Sequence, residues 1–310
     1  MLLLTGATGT VGAALLRRLT ATGRPVRCLV REPRRLGAER VRVQIALGDL
    51  ADPPSFRNAL RGVDTVVHLA ASIRDQRAGS IEELNGIATW RMVRAAEHAG
   101  VGHFVFASAL GASTSDRTRF MRAKALAERA VLASTLRHAV VAPSVVYAPG
   151  DRYLTLLARL ALLPAVPAPG RGRVSAQPIW ADDVADCLMA LLDGRGDGRV
   201  RHELAGPDTL SHRAIVEIAL RAAGRPRPVV RVPGRAARRL LRASEWVLGS
   251  RAPVTWDEAE LLEVPMTTAR GTADAQALGV TPRSMAAVLG ATDPERADHP
   301  ASAGRRAAHG

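Results

Sequence analysis

The 310 residues carry 43 Lys plus Arg against 29 Asp plus Glu, a formal charge of +14, with 47% hydrophobic and 3% aromatic residues. That length supports a large core and a modest second lobe. The scattered arginines and few aromatics argue against a focused nucleic-acid face, two distant cysteines against a disulfide framework or a metal site, and the lack of any ~20-residue apolar run against a membrane span.

The chain is therefore expected to be cytoplasmic, with no nucleic-acid and no membrane partner. Its first strand begins at once, so no leader is expected. The strand Leu2–Thr5 is followed by a glycine turn and a helix over about 11–20. Further strands are predicted over 25–30, 41–46, 65–69, 103–107 and 139–142, with helices over about 85–99 and 120–134. This alternation is that of a parallel α/β sheet.

Beyond Gly150 the regularity breaks. A helix is predicted over 153–163, then a Pro-rich stretch to 170, a helix over 182–192, a strand over 199–204, and two or three helices within 211–263. The expected fold class is α/β: a Rossmann doubly wound parallel sheet with a small, mainly helical C-terminal substrate lobe. Residues 1–150 plus 176–205 would form the sheet domain, 151–175 plus 206–290 the lobe or lid, and 291–310 a flexible tail.

The strongest motif is Thr5-Gly6-Ala7-Thr8-Gly9-Thr10-Val11-Gly12, between the first strand and the first helix. Its glycines allow a tight turn, close approach of a pyrophosphate and close helix–strand packing. The helix N-terminus then offers N–H groups and a positive dipole end to phosphate. At the end of the second strand, where an acid would grip a ribose 2′-OH, the chain has Arg31, followed by Arg34 and Arg35. Guanidinium groups suit a 2′-phosphate, so NADPH is the expected cofactor and NADH the alternative. Asp49, followed by Leu50, is placed to meet adenine, and Ala70 and Ala71 are small enough to let a cofactor pass.

The segments TGATGTVG, GDL, HLAA, the Asn85 segment, FVFASALGA, the run from Lys124 to Glu128, PSVVYAPGD and QPIWADDVA resemble, in order, those of extended and atypical short-chain dehydrogenase/reductases related to the complex I 39-kDa subunit. The resemblance spans roughly residues 1–235. It implies that Gly6, Gly9 and Gly12 bind pyrophosphate and that Asp49 meets adenine. It also implies that Lys124 contacts the nicotinamide ribose and that Pro143, Ser144, Val145 and Val146 line the nicotinamide.

The chain departs from that family at its catalytic set. The family's Tyr stands four residues before its Lys; here that position is Phe120, which has no proton to donate. Ala109 falls where the catalytic Ser is expected, with Ser108 one residue short. Yet the only lysine in the sequence, Lys124, holds the Lys position. Tyr153, on the helix expected to border the cleft, and Ser108 are the substitute candidates; Tyr147 reads as a structural aromatic. His68 and His103 read as structural, and Asp182 with Asp183 as a helix cap.

Two readings follow. One is a ketoreductase of bulky aromatic ketones, resembling the Tyr-less angucyclinone reductases of antibiotic pathways, in which the substrate's own phenol replaces the acid. The other is a non-catalytic NAD(P)H-binding sensor or assembly protein. The sequence fixes neither the substrate nor the oligomeric state.

Overall fold

The computed structural model describes residues 1–169, 174–196, 200–249, 252 and 254–291. Seven strands form one sheet: β1 Leu2–Thr5, β2 Val26–Val30, β3 Gln44–Leu47, β4 Thr65–His68, β5 His103–Ala107, β6 Arg137–Pro143 and β7 Arg201–Leu204. Their spatial order is β7-β6-β5-β4-β1-β2-β3, and every neighbouring pair is parallel. The order reverses beside β1, and open α/β sheets bind ligands outside the strand carboxyl ends at such a switch point.

A parallel sheet is covered on both faces, so its strands read as near-continuous apolar runs. Every residue of β1 is buried. The period of two then divides the core. Leu2, Leu4, Cys28, Val30, Val67 and Val141 face helices Thr10–Ala21 and Ala181–Leu192. Leu3, Leu29, Val66, Phe104, Phe106 and Val140 face helices Ala88–His98 and Arg119–Leu132. Each buried Leu, Val or Phe is worth ~1.5–3 kcal/mol relative to exposure.

Several elements after β6 gather about a third apolar cluster that includes Tyr147, Leu154, Leu157, Leu210, Ile215 and Met285. It is built from helices Arg152–Leu160, His212–Ala222 and Met285–Leu289. Helices Gly234–Leu248 and Trp256–Leu261 follow in the same half of the chain.

Three elements differ from the sequence expectation. The third strand starts at Gln44 rather than 41, because Pro33 opens two tight helical turns, kinked at Gly37, that run to Val41. The helix expected from 85 opens with a π-helical turn, Glu83–Ile87. Within the Pro-rich stretch, Val166–Pro169 pairs with Val229–Val232; proline is tolerated there because a two-stranded ribbon leaves edge N–H positions unpaired. The expected tail beyond 291 lies outside the described residues.

Candidate cofactor and substrate site

Thr5 ends β1, and the chain turns through Gly6 at φ 73°. A Cβ on Gly6 would stand 2.6 Å from the Ala70 nitrogen, and one on Gly12 would stand 2.0 Å from the Gly6 carbonyl oxygen. No side chain fits at either place, so the first helix packs hard against the strand turn. Gly9 caps that helix without a side-chain hydrogen bond, and the first turn carries no acid. Its N–H groups are left to an external anion.

A cavity of about 320 Å³ opens over this turn, lined by Gly6, Ala7, Thr8 and Gly9, and then by the ends of β2, β3 and β4. A cradle that a Cβ would fill, set at a helix N-terminus beside an open cavity, fits the pyrophosphate of a dinucleotide. Arg31, Glu32, Arg35, Asp49, Leu50, Ala70 and Ala71 also line it. Arg31 donates to the Gln76 side chain at 3.0 Å and lies 3.7 Å from the Asp49 carboxylate. Asp49 is itself held by the Ala51 N–H at 3.0 Å. Arg34 is exposed and is not part of the cavity lining; nor are Thr5, Thr10, Val11 and Gly12, which lie in or behind the turn.

Next to the glycine turn runs a buried polar chain whose connections the sequence did not show. Thr5 and His68 Nδ1 are 2.9 Å apart, His68 Nε2 and Thr89 are 3.1 Å apart, and Thr89 donates to the Asn85 carbonyl at 2.6 Å. The Asn85 amide donates to the Ser72 carbonyl and accepts from the Ser72 N–H. Gln76 donates to the Ser72 hydroxyl. Asn85 sits in the π-helical turn, a local geometry often found at functional sites. Ser72 and Gln76 line the cavity, so the chain ties its floor to the helix behind it. The sequence offered its members separately, Thr5 in the glycine motif, His68 as a structural histidine and the Asn85 segment, without joining them.

The nicotinamide side is arranged differently. Lys124 is buried, its Nζ donates to the Ala107 carbonyl at the end of β5, and it lies 4.5 Å from the Phe106 ring centre. Burial pushes it down to about 7, with Glu128 acting in the opposite sense. Ser108 turns away to donate to Glu128 at 2.5 Å, and Glu128 is paired with Arg201. Phe120 is half-buried and packs in an apolar patch with Ala109, Met121, Leu261, Val264 and Met266. Tyr153 lies in the third core cluster, its hydroxyl 3.3 Å from His212 Nε2, and burial raises its pKa. Tyr147 is fully buried.

Ser144 donates to the Met266 carbonyl at 2.7 Å, and Val145 and Val146 continue toward the third cluster and the sheet core respectively. Neither Lys124 nor Pro143–Val146 lines the 320 Å³ cavity. Ion pairs tie the loop after β4 to later elements. Arg74 makes a bidentate pair with Glu258, and Arg119 reaches Asp75, Glu82 and Asp257. These pairs clamp the helix Trp256–Leu261 to the loop after β4 and to the N-terminus of the Lys124 helix.

Switch-point cavity and glycine cradle define a dinucleotide-binding Rossmann protein. The family described as NAD(P)H-binding matches residues 6–194, and the chain belongs to it. It is 31% identical over 230 residues to the mitochondrial NADH dehydrogenase [ubiquinone] 1 alpha subcomplex subunit 9 of Arabidopsis thaliana, covering 69% of this chain and 55% of that one. It is 30% identical over 233 residues to the (4-alkanoyl-5-oxo-2,5-dihydrofuran-3-yl)methyl phosphate reductase of Streptomyces griseus, covering 73% and 75%. The chain thus spans little more than half the length of the first relative. Among solved structures, MoeE5 in complex with UDP-glucose and NAD superposes with a TM-score of 0.69 at 24% identity, over 96% of this chain and 98% of that one. That likeness shows the fold. These similarities agree with the expected class, the atypical short-chain dehydrogenase/reductases related to a complex I subunit.

Proposed function

We propose that this protein is an NADPH-dependent ketoreductase of bulky aromatic ketones, of the angucyclinone polyketide type, that works without a protein tyrosine acid. Residues 1–150 plus 176–205 hold the cofactor, and 151–175 plus 206–290 form the substrate lobe. The observation that carries the reading is the apolar patch around Phe120 and Ala109, where a phenol and a hydroxyl would otherwise stand. A flat apolar ligand gains area there.

When bound, NADPH would supply a hydride to the carbonyl carbon. Gly6 and Gly9, with the N–H groups of the first helix, would hold the pyrophosphate, and Gly12 would let the helix pack close enough to do so. Arg31 and Arg35 would neutralise the 2′-phosphate, Arg34 would add to the field, and Asp49 would orient adenine. As the family resemblance implies, Lys124 would turn from the Ala107 carbonyl to the ribose and the Pro143–Val146 segment would wall the ring. Phe120 excludes water and presses the substrate flat. The proton for the new alkoxide comes from a phenol on the substrate, hydrogen-bonded to its carbonyl, and solvent restores it. Positioning supplies the rest of the rate. Similarity to a named reductase supports this reading.

A second reading is a non-catalytic NAD(P)H-binding assembly or sensor protein. Two observations favour it: the Ser108 hydroxyl is engaged by Glu128, and a complex I subunit is among the relatives. Loss of NADPH absorbance on adding a panel of hydroxyquinone ketones decides between them. Turnover with any member supports the reductase; NADPH binding with no oxidation across the panel favours the second reading.

A further inference from the structure

The helix Gly234–Leu248 is charged and apolar at once. Its 3.6-residue spacing puts Ala236, Leu240, Ala243 and Val247 in one row and Arg239 with Trp246 in the adjoining row, Arg242 lying just beyond. Both rows face solvent. Trp246 is 88% exposed, Val247 71% and Leu240 67%, which makes Trp246 the most exposed large apolar residue described. The opposite side packs inward through Ala237 and Leu241, while Glu245 accepts from the Trp256 N–H and Arg238 stacks over the Trp256 ring.

The exposed face therefore presents a tryptophan, two aliphatic side chains and two arginines, and its one nearby acid is turned to the inside. Among the described residues no carboxylate pairs with Arg239 or Arg242. Val230, half exposed, lies on the short strand that runs straight into this helix. Water solvates such a tryptophan poorly, and a protein partner would be expected to show acids opposite the arginines. An anionic lipid surface satisfies both: headgroup phosphates take the guanidinium groups, and the acyl boundary takes the apolar row. Tryptophan is the residue that favours that boundary. No helix among the described residues is long and apolar enough to cross a membrane, but the expectation of no membrane partner rested on the lack of such a span, and a helix lying in the interface needs no such length.

We propose that helix Gly234–Leu248 docks this protein on an anionic lipid surface, with Leu240, Trp246 and Val247 inserted and Arg239 and Arg242 among the phosphates. The proposal is independent of the reductase reading, since it concerns the outer face of the helix and not the cofactor cavity.

The test is co-sedimentation of the full chain with vesicles of phosphatidylcholine alone or mixed with phosphatidylglycerol. Binding is expected to the mixed vesicles, weak binding to the neutral ones, and a steep fall with salt, as surface electrostatics are screened within ~10 Å at 0.1 M. Trp246→Ala with Leu240→Ala and Val247→Ala should weaken binding at least about tenfold. Arg239→Gln and Arg242→Gln should each cost about fivefold on the anionic vesicles only. These side chains are exposed, so melting temperatures should not move. Should the triple variant fail to fold, Trp246→Phe takes its place: it should still pellet while losing the vesicle-induced shift in tryptophan emission. Equal pelleting of wild type and triple variant, or equal binding to both vesicle types, overturns the proposal. So does vesicle-independent self-association that the triple variant abolishes, which would give the face to a second copy of the chain.

Discussion

His68 Nδ1 stands 2.9 Å from the Thr5 hydroxyl, so the last residue of β1 and the last residue of β4 are joined beneath the glycine turn. Thr89 spends its proton on the Asn85 carbonyl, so it must accept from His68 Nε2–H, and His68 Nδ1 must in turn accept from Thr5. The protons therefore all point one way, from Thr5 to Asn85, and the imidazole is neutral.

That direction has a measurable consequence. Burial, and then the positive charge of Lys124, push His68 down to about 3 from the ordinary 6.5. Between those values the unfolded chain binds a proton that the native chain refuses. Stability should fall as pH drops from about 6.5 toward 3. Thr5→Val removes the donor to Nδ1 and should cost ~1–3 kcal/mol at pH 7. Urea unfolding of wild type and His68→Gln across pH 4 to 7 checks the slope (approximate window set by the titration range). An equally steep loss in both proteins would assign the acid sensitivity elsewhere.

Lys124 should show the opposite range. Its folded value of about 7 lies below the usual 10.5, so native stability should rise as pH increases from about 7 to 10.5. Lys124→Met should flatten that rise and stabilise the cofactor-free protein at neutral pH. Lys124→Ala should nonetheless weaken NADPH binding and depress any reductase rate together. A variant with wild-type affinity and turnover would reduce the only lysine to a structural cation bonded to Ala107.

NADPH should bind more tightly than NADH. Arg31 and Arg35 line the cavity at the second strand's end, and each charge-assisted bond to a 2′-phosphate is worth about 1.5–3 kcal/mol before solvent competition. Glu32 lies beside them and works against the preference. Arg31→Asp should bring the two dissociation constants together or invert them, by isothermal titration. Equal constants in the wild type, or an unmoved ratio in the variant, would remove Arg31 from the specificity argument.

The sheet was legible because a strand buried on both faces writes itself as an unbroken apolar run: Leu2–Thr5 and His103–Ala107 stand where the sequence puts them. Edge strand β3 was misplaced because Ile45 and Leu47 are exposed there and lend it no burial pattern. The glycine turn was legible because a dinucleotide cradle constrains consecutive positions. The chain from Thr5 through His68 to Asn85 was not, since its partners stand 63 and 21 residues apart and only folding brings them together. Ser108 illustrates the same limit: the sequence puts it at the end of β5, but its bond depends on Glu128, 20 residues later on the following helix.

Phe120→Tyr tests the missing acid. Were the protein a reductase merely lacking its best catalyst, a phenol four residues before Lys124 should restore general acid catalysis, worth ~10²–10⁴-fold. The packing argues otherwise. The Phe120 ring sits among Ala109, Met121, Leu261, Val264 and Met266, an apolar patch in which an added hydroxyl loses solvation without a partner and costs ~1–3 kcal/mol. Phe120→Tyr is therefore expected to be neutral or harmful on the natural substrate. Methylating the phenol beside the substrate carbonyl should abolish turnover and change binding far less, because it removes the proton and not the flat apolar area. Single-turnover NADPH oxidation with paired free and methylated substrates reads both effects. Equal rates for the pair would overturn substrate assistance and turn attention to Tyr153, whose hydroxyl already faces His212.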